Sequence, residues 1–542
     1  TWTTPRVLAW GAWLEQGLDE ARARGVAVPG RLSRADSWWL WREAVRQACV
    51  EELQVLWPDG LIDPVRRATL LLEDFGLTLR EATTAEAAVL LSAQSQFARS
   101  CRSRQVIWSS SWRACADYLA PSTPTRLAGF EELGPARAAW LNSLGIEIRA
   151  DEPPDSAAGT AVRALDDPEQ EALAAADWCA GELERDPRAR LLVVVARLPE
   201  QRHLWLRALT RRLDGERLLG RTGAGQSDME SVAVEGGEPL AGYPLVSLAL
   251  QLLSLACGEL EFAQLSPVLR SPYLAASSRE ARLATDLWLR ERNIELRRPQ
   301  LSSLLGALAR AAGDAASAVL QQLLQPVDAG GEAGVARSSP ADWARRFARS
   351  LLRAGWPGAQ LSSAEQQLRL RFEELLGELA AITTDASLPA SQALALLRQL
   401  AAQTAFEPAT DDAPVTLTSS LADPIAIYDG IWVAGLTAAA WPQALHPDPM
   451  VPWGLQRAAG MPGADPATPL QRAERALQRW RSASRQLVLS YPRAEADLRH
   501  EPSPLLDLPA ANEAPRAMAL FDLEEWLAQR APRLEVLDDS RG

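Results

Sequence analysis

The sequence predicts a helix-rich α/β protein in which a long helical block interrupts one α/β domain. The segment LLVVVA (191–196) is a continuous apolar run, typical of a strand that is buried on both faces of a parallel sheet. Residues 243–405 carry helical periodicity almost throughout. Strand-like segments return after residue 413. Strands on both sides of a helical block indicate a single α/β domain that holds an inserted helical domain.

Charge and composition restrict the classes of function. The chain has 542 residues, enough for three or four domains of roughly 150 residues each. A formal net charge of −13 argues against a uniformly basic nucleic-acid-binding protein, although a local arginine groove remains compatible with it. No apolar run reaches the roughly 18 residues that a membrane span needs. With no signal peptide or initiator methionine, the sequence is expected to be an excised fragment of a cytoplasmic protein.

Cysteine and histidine patterns predict neither disulfides nor a metal site. The five cysteines are odd in number, widely spaced and without a C-x-x-C pair. The three histidines are isolated from one another, which is typical of surface or core residues and not of ligands. We therefore expect no metal ion and no disulfide framework, in keeping with a reducing compartment.

Residues 1–150 are predicted to form a first domain that mixes helices with short strands. One helix is expected to be capped by Asp36 or Ser37, and another by Asp63 with Pro64 at its first position. The predicted elements are a strand at 6–10, helices at 11–24, 36–57 and 63–77, a strand core in 104–110, and a β-α-β unit with strand cores in 126–133 and 145–152 around a helix at 134–145.

The remaining boundaries follow from shifts in composition and periodicity. A segment rich in Pro, Ser, Ala and Asp predicts a linker at 151–165, and a similar composition predicts a linker or docking segment at 507–542. The second α/β domain is assigned to 166–242 and 406–506, with the helical block of 243–405 as a separate body tethered near 242 and 406. Because 191–196 is too apolar for an exposed edge, it needs a strand on each side. The best neighbours are VTLTSS (415–420), IWVAGL (431–436) and LVLSY (487–491).

Residues 220–227 imitate a phosphate-binding loop but fail its requirements. Gly220, Gly225 and Ser227 have the spacing G-x-x-x-x-G-K-[ST], yet Gln226 replaces the lysine. The whole chain contains no lysine, so no other residue supplies that ammonium group. A working loop also lies between a buried strand and a helix N-terminus, whereas here a helix precedes the glycines and a strand follows. We interpret the segment as a glycine-rich connector that binds no nucleotide.

Two other patterns have a structural and a functional interpretation. LDEAR (18–22) imitates the acidic box of helicases, but it lies in an amphipathic helical segment, so Asp19 and Glu20 are expected on a solvated face. Tryptophan is unusually frequent, with 20 residues. Tryptophans such as those of SWWLW (37–41) could stack on single-stranded bases, or they could simply belong to a core; the core is the favoured interpretation.

Four segments of the second half carry a family resemblance. Residues 234–274, 421–443, 469–497 and 501–506 resemble the AddB and RecC-type subunits of bacterial recombination helicase–nucleases. LADPIAIYDGIWVAGLTAAAWPQ (421–443) is similar to the segment that follows helicase motif V, and the helix and strand of 469–497 are similar to the motif VI region. The chain most resembles a group described as probable DNA repair proteins, which are inactivated superfamily 1 helicases with a C-terminal PD-(D/E)xK nuclease domain.

This resemblance implies a fold for each predicted segment. Residues 1–150 would be a partial first helicase-like domain (1A/1B-like) that lacks the first motor motif. Residues 166–242 and 406–506 would be a second RecA-like (P-loop NTPase-like) domain, with 243–405 as its 2B-like insertion. The segment 507–542 would lead to the nuclease domain, which this chain does not contain.

The resemblance also implies a function without chemistry of its own. The sequence reads SSLADPIAIYDG (419–430) where active motors carry Lys-Gly-Leu-Glu, and Ser482 occupies the position of the motif VI arginine, beside Arg481 and Arg485. The chain would therefore be a non-hydrolysing scaffold of a DNA repair or recombination helicase–nuclease. It would guide DNA, single-stranded and without sequence preference, beside an active RecB- or AddA-like motor subunit. No catalytic residue, cofactor or metal is expected in this chain, whereas the full-length protein could be a DNA exonuclease.

Four arginines are the candidates for DNA contact: Arg270, beside SPYL (271–274), and Arg472, Arg475 and Arg485, near the motif VI-like strand. The alternative is a helical protein-interaction scaffold that makes no contact with DNA, which the net charge of −13 favours. Clustering of arginines along one wall of a channel would distinguish the two.

Overall fold

A computed structural model describes most of the chain as a helical N-terminal region, a parallel sheet domain and a helical block. The described residues are 6–52, 58–121, 123–128, 130, 133–148, 159–214, 231–257, 262–275, 278–291, 319, 323, 337–383, 387–407, 413–421 and 426–506.

The N-terminal region consists of helices joined by two small parallel strand pairs. Strand β1 pairs with β2 and strand β3 pairs with β4, so the β-α-β unit expected around the helix at 134–145 is present. The elements are α1 (Trp10–Ala23), β1 (Gly30–Arg31), α2 (Arg34–Glu52), a 3-10 turn (Pro58–Leu61), α3 (Ile62–Phe75), α4 (Ala85–Ser103), β2 (Val106–Ile107), α5 (Trp112–Cys115), β3 (Arg126–Leu127), α6 (Pro135–Ser143) and β4 (Glu147–Ile148).

Three local predictions for this region are wrong. Residues 6–9 form no strand, and Val7 is 92% exposed, because no neighbouring strand covers its apolar side chain. Helix α2 begins before Asp36 and Ser37, and the Ser33 hydroxyl accepts the hydrogen bond from the Asp36 amide at 2.9 Å. Helix α3 begins at Ile62, which places Asp63 inside the first turn instead of at the cap. In both helices the first turn extends further toward the N-terminus than the polar side chains indicate.

The central sheet has six parallel strands in the order β5-β12-β11-β6-β10-β7. The expected pairing of the apolar run is confirmed, because β6 lies between β11 and β10. The strands of this sheet are β5 (Gly159–Leu165), β6 (Leu191–Val195), β7 (Val232–Val234), β10 (Val415–Thr418), β11 (Tyr428–Ala434) and β12 (Ser484–Pro492). Two antiparallel strand pairs are separate from it: β8 (Glu238–Pro239) pairs with β9 (Ala405–Phe406), and β13 (Ala494–Glu495) pairs with β14 (Leu498–Arg499).

Part of the predicted linker belongs to this sheet. Residues 159–165 form strand β5, which pairs with β12 over seven residue pairs, from Gln486↔Gly159 to Pro492↔Leu165. The first half of β5 is exposed, so its side chains give no continuous apolar signal. Strand β12 is nine residues long, and this weakly apolar segment pairs with the edge of β12 that would otherwise be the exposed edge of the sheet.

Helices cover both faces of the sheet. The face on which a helix packs depends on the direction in which the chain moves from strand to strand across the sheet. Helices α7 (Pro168–Arg185) and α8 (Leu198–Leu213) pack on one face, with Trp205, Val193 and Trp432 in their core. The chain returns across the sheet after β7, and α16 (Ala467–Ser482) packs on the other face, with Trp480 and Val194. A single hand of crossover connection requires this change of face. A short helix, α15 (Trp453–Ala458), precedes α16.

The helical block shares a hydrophobic core with the N-terminal helices. Its buried side chains and those of α2, α3 and α4 form one continuous hydrophobic cluster, which includes Trp41 and Val65 on one side and Leu253 and Leu379 on the other. Helix α9 (Pro244–Ala256) explains this shared core. It buries apolar residues on most of its circumference, so it must pack against other helices on most sides. The helices are α9 (Pro244–Ala256, after a 3-10 turn at Leu240–Gly242), α10 (Phe262–Arg270), α11 (Arg279–Glu291), α12 (Pro340–Arg353), α13 (Ser363–Ala380) and α14 (Ala390–Gln403).

Two further interpretations of the sequence are settled by burial. Trp38, Trp39 and Trp41 are all buried, so they belong to the core and do not form a stacking surface. Asp19 is exposed on α1 and forms an ion pair with Arg22 at 2.8 Å, as expected for a solvated face. Among the helices of the described residues, none has the length and apolar character that crossing a membrane requires.

Candidate functional site at the carboxyl edge of the sheet

The carboxyl edge of the sheet, where its parallel strands end, contains a crevice defined by the chain's topology. After β6 the chain passes to α8 on one face, whereas after β10 and β11 it continues on the opposite face, where Leu421 and Leu436 pack. Connections that leave neighbouring strands in opposite directions open a gap beyond the strand ends. In open α/β sheets this is the place where ligands bind.

A cleft of about 460 Å³ lies at this edge. Four separate parts of the chain form it: the end of β10, the loop after β11, the turn at 462–463 and the start of α16. The lining residues are Ser419, Ser420, Leu421, Trp441, Gln443, Ala444, Leu445, His446, Pro462, Gly463, Pro469, Arg472 and Ala473. None of these lining residues is acidic, and Arg472 supplies a permanent positive charge. Hydroxyl, amide, imidazole and guanidinium groups together suit an anionic or strongly polar ligand.

Residues 435–446, named here the wall loop, form one side of the cleft and are tied to the sheet by backbone hydrogen bonds. The Leu436 amide donates to the Ser490 carbonyl at 3.0 Å, and the Ala438 amide donates to the Glu501 carbonyl at 2.8 Å. The Ser503 amide donates to the Leu436 carbonyl at 2.9 Å. These bonds fix the first part of the loop to strand β12 and to the segment that follows the β13–β14 hairpin.

Close packing holds the rest of the wall loop. Trp441 is 2% exposed, and its ring lies 5.6 Å from that of Trp480 on α16. A Cβ atom on Gly463 would lie 2.5 Å from the His446 carbonyl oxygen, so only glycine allows this approach. The wall loop is therefore clamped between α16 and the turn that contains Gly463.

A buried carboxyl group lies where the wall loop leaves the sheet. Glu171, in the first turn of α7, is 1% exposed. One of its carboxyl oxygens, Oε1, accepts hydrogen bonds from the Ser490 hydroxyl at 2.6 Å and from the Gly435 amide at 3.0 Å. Burial raises the pKa of Glu171 to about 7, while the bonds from Ser490 and Gly435 partly oppose that shift.

The four arginines predicted to contact DNA lie in different places. Arg472 lines the cleft, and Arg475 lies one turn further along α16, where its Nε donates to the Gln471 carbonyl. Arg485 is 83% exposed at the start of β12, so it lies at the opposite, amino edge of the sheet, and it pairs with Asp429 at 3.4 Å. Arg270 ends α10 in the helical block and lies 3.8 Å from Asp286. The structure thus brings Arg472 and Arg475 together on one helix and separates Arg485 and Arg270 from them.

The remaining residues singled out from the sequence are those of the segment 220–227 and Ser482. Gly220, Gly225, Gln226 and Ser227 lie outside the described residues. Ser482, at the motif VI arginine position, is buried at the end of α16, and its hydroxyl donates to the Arg479 carbonyl at 2.9 Å. Across the described ranges, no three or more His, Cys, Asp or Glu side chains are grouped so that they could hold a metal ion.

Sequence reasoning missed most of the residues that form the site. His446 reads as an isolated histidine, and Ser419 and Gln443 lie in segments that carry the family resemblance without being singled out as site residues. Only for Glu171 does the sequence give a weak indication. Its carboxylate lies on the alanine-rich, apolar face of EALAAADWCAG (171–181), which predicts a buried acidic side chain. Compared with models of known protein families and with curated proteins, the chain matches none.

Proposed function

We propose that this chain is a non-hydrolysing, helicase-like scaffold that guides DNA through contacts with its phosphate backbone at the carboxyl-edge cleft. One observation carries this proposal. The segment similar to the one that follows helicase motif V (421–443) and the segment similar to the motif VI region (469–497) both line the same cleft, the first through Leu421, Trp441 and Gln443 and the second through Arg472. The two segments lie apart in the sequence, and both contribute residues to the cleft.

The chemistry of the lining supports phosphate as the group that is bound. Arginine, hydroxyl and amide side chains are the usual donors to phosphate oxygens, and they carry no information about base sequence. The cleft offers each of these donors: Arg472, Ser419, Ser420 and Gln443. We therefore infer that DNA is bound without sequence preference and that base identity is not recognised here.

The net charge of the chain sets the expected strength of binding. A formal charge of −13 repels a polyanion at long range, while the lining of the cleft attracts it locally. Binding by this chain alone is therefore expected to be weak and to decrease steeply with salt, because each neutralised phosphate releases counterions. A RecB- or AddA-like motor subunit would supply the driving force, and the nuclease domain that the resemblance implies would supply the cleavage chemistry.

The experiment is a titration of the chain into labelled single-stranded DNA, followed by fluorescence anisotropy at several salt concentrations. Arg472→Gln should weaken binding severalfold and reduce the slope of log affinity against log salt by about one. Arg185→Gln is the matched control, because Arg185 is 72% exposed and lies at the end of α7, away from the cleft. Equal losses for Arg472→Gln and Arg185→Gln would contradict the proposal.

The separated arginines add a second comparison. If DNA also crosses the amino edge, Arg485→Gln should weaken binding as much as Arg472→Gln does. If DNA follows the carboxyl edge alone, Arg485→Gln should behave like the control. The same comparison applies to Arg270→Gln in the helical block.

The alternative function is a protein-interaction scaffold that does not contact DNA. The net charge of −13 favours it. Absence of any anisotropy change at low salt would favour this alternative over the DNA scaffold.

A further inference from the structure

Trp441 is a buried residue of the wall loop whose indole ring forms part of the cleft. It is 2% exposed, and its ring packs against that of Trp480 on α16, with the ring centres 5.6 Å apart. Trp441 is also one of the residues that line the cleft. The small part of Trp441 that solvent reaches therefore lies on the cleft wall.

Three indole N–H groups in and around this sheet differ in how they are satisfied. The Trp432 N–H donates to the Ser490 hydroxyl at 2.8 Å. The Trp480 N–H is enclosed by protein and has no acceptor within the described residues. The Trp441 N–H likewise has no acceptor in that part of the chain, but its nitrogen is not enclosed. Because the exposed part of Trp441 lies on the cleft wall, this N–H opens into the cleft.

The Trp441 N–H needs an acceptor from outside the protein. An indole nitrogen can only donate, and buried donors are nearly always paired, because an unpaired donor loses the hydrogen bond that it makes to water. The acceptor is therefore supplied by whatever enters the cleft, which is water in the free chain and an oxygen atom of the ligand in the complex.

The position of this donor is fixed before any ligand binds. The Trp441 amide donates to the Thr437 carbonyl at 2.9 Å, and the Ala440 amide donates to the same carbonyl at 3.0 Å, so the backbone turns tightly here. Packing against Trp480 limits the rotation of the indole ring. A donor that is already ordered loses little conformational entropy on binding, so more of its hydrogen bond contributes to affinity.

The other polar groups of the cleft indicate which kind of acceptor fits. Gln443 lies in the wall loop, Ser419 at the end of β10 and Arg472 on α16, so groups that can donate approach from three segments. None of the lining residues is acidic. A phosphate group directs oxygen atoms to several sides and carries the negative charge that an arginine attracts, whereas a planar carboxylate accepts within one plane.

We propose that Trp441 is a specificity-determining residue of the cleft, and that its indole N–H donates a hydrogen bond to an oxygen atom of a bound phosphate group. The inference rests on the proposed function for the source of this phosphate, which is the phosphodiester backbone of single-stranded DNA. Since Trp441 is 2% exposed, the faces of its ring are covered and it does not stack on a base.

Trp441→Phe removes the donor and retains an aromatic ring. Binding of labelled oligothymidylate, measured by anisotropy, should weaken about tenfold, as expected for the loss of a hydrogen bond to a charged group. Trp178→Phe is the matched control, because Trp178 is buried on α7 at the other face of the sheet and its enclosed N–H has no acceptor within the described residues. Equal, measurable affinities of Trp441→Phe and Trp178→Phe would overturn the proposal.

Replacement of Trp441 by benzothienylalanine covers the case in which phenylalanine unfolds the wall loop. This residue has the size and shape of tryptophan, with a sulfur atom in place of the N–H. It should reproduce the loss of about tenfold in affinity. Wild-type affinity with benzothienylalanine at position 441 would show that the N–H makes no contact with the ligand.

Fluorine NMR of the chain labelled with 5-fluorotryptophan observes the contact without a functional assay. The chain contains 20 tryptophans, and the resonance that is missing when Trp441 is replaced belongs to Trp441. Inorganic phosphate should shift this resonance in a saturable manner, whereas sodium chloride at the same ionic strength should not. A Trp441 resonance that responds to neither phosphate nor oligothymidylate would refute the contact.

The two probes separate this inference from the proposed function. A saturable shift of the Trp441 resonance with phosphate, in a chain that binds no oligothymidylate, would keep the phosphate contact and refute the DNA scaffold. DNA binding that weakens in Arg472→Gln but is the same in Trp441→Phe as in the wild type would keep the scaffold and refute the contact.

Discussion

Asp36 on α2 accepts two hydrogen bonds from Thr383, a residue 347 positions further along the chain. The Thr383 amide and hydroxyl donate to the same carboxylate oxygen of Asp36 at 2.8 and 2.9 Å, and the Ser33 hydroxyl donates to the other oxygen at 2.7 Å. Asp36 is 7% exposed, so its charge is satisfied mainly by these contacts. The contact joins the N-terminal helices to the helical block at the edge of their common hydrophobic cluster.

Asp36→Ala should therefore destabilise both regions together. The change removes a charge-assisted contact and leaves the Thr383 groups to water, at an expected cost of about 1–3 kcal/mol in the free energy of unfolding. Urea unfolding followed by circular dichroism at 222 nm measures this loss. Asp19→Ala is the control, because Asp19 is 57% exposed on α1 and its ion pair with Arg22 should contribute less than about 1 kcal/mol.

The outcome for Asp36→Ala also tests the continuity of the core. One cooperative transition shifted to lower urea is expected if the N-terminal helices and the helical block unfold together. A variant that matches Asp19→Ala, or two transitions of which only one moves, would show that the helical block is energetically independent.

The sequence predicts the central strand of the sheet well, because a strand that is buried on both faces consists of consecutive apolar residues. The five residues of β6 are all buried and all apolar, so both the strand and its need for two neighbours are visible in the sequence. Strand β5 cannot be predicted from its sequence, for the opposite reason. Its first three residues are exposed, and only pairing with β12 makes the segment a strand.

The site could be predicted only in part, because the cleft depends on contacts between distant segments. Arg472 was expected from the helix and strand of the motif VI-like region, and it lines the cleft. Ser419, Gln443 and His446 come from two other segments, and nothing local in the sequence brings them together. Local patterns predict a helix cap at Asp36, whereas its carboxylate also binds Thr383, which is too distant in sequence for local patterns to reveal.

Gly430 in the middle of the sheet should not tolerate a side chain. A Cβ atom at this position of β11 would lie 2.7 Å from the Trp178 ring, which packs across the strand from α7. Gly430→Ala is therefore expected to lower the free energy of unfolding by about 1–3 kcal/mol through overpacking. Thermal or urea unfolding of the purified variant provides the measurement.

Gly159→Ala is the matched control for Gly430→Ala, since it makes the same chemical change in the same sheet. A Cβ atom on Gly159, in edge strand β5, would meet no atom within 4 Å. The control should be neutral or should stabilise the fold slightly, by about 0.5 kcal/mol, because alanine loses less backbone entropy than glycine. Equal effects of the two substitutions would mean that the contact between Gly430 and Trp178 does not exist in solution.

The chain should not hydrolyse ATP. Its sequence contains no lysine to reach the β- and γ-phosphates, and Asp19 and Glu20 of LDEAR lie within helix α1 instead of at the end of a strand. Incubation with ATP and magnesium should release phosphate at the rate of the protein-free blank. Turnover above the blank that disappears in Gln226→Ala would contradict this prediction and would make the glycine-rich segment of 220–227 a nucleotide site.

Glu171 should make the stability of the whole chain depend on pH in an unusual direction. Most buried carboxylates that form ion pairs have lowered pKa values and stabilise a fold as pH rises, whereas burial raises the pKa of Glu171 to about 7 from its ordinary value of 4.5. The folded state therefore binds the proton more tightly than the unfolded state. The contribution of Glu171 to stability is complete below pH 4.5 and is lost as the pH rises toward 7. The full loss is of the order of 3 kcal/mol, from the size of the shift.

The measurement is the free energy of unfolding in urea at a series of pH values from 5 to 8, in the wild-type chain and in Glu171→Gln. Many other groups titrate in this range, so the informative quantity is the difference between the two chains at each pH. Glutamine cannot ionise, and the variant should therefore gain stability relative to the wild type as the pH rises, with the gain levelling off above pH 7. A difference that is constant from pH 5 to pH 8 would mean that Glu171 keeps one charge state in both the folded and the unfolded chain. A gain that shrinks with rising pH would mean that its folded-state pKa is lowered, and that the Ser490 and Gly435 hydrogen bonds outweigh the cost of burying the carboxylate.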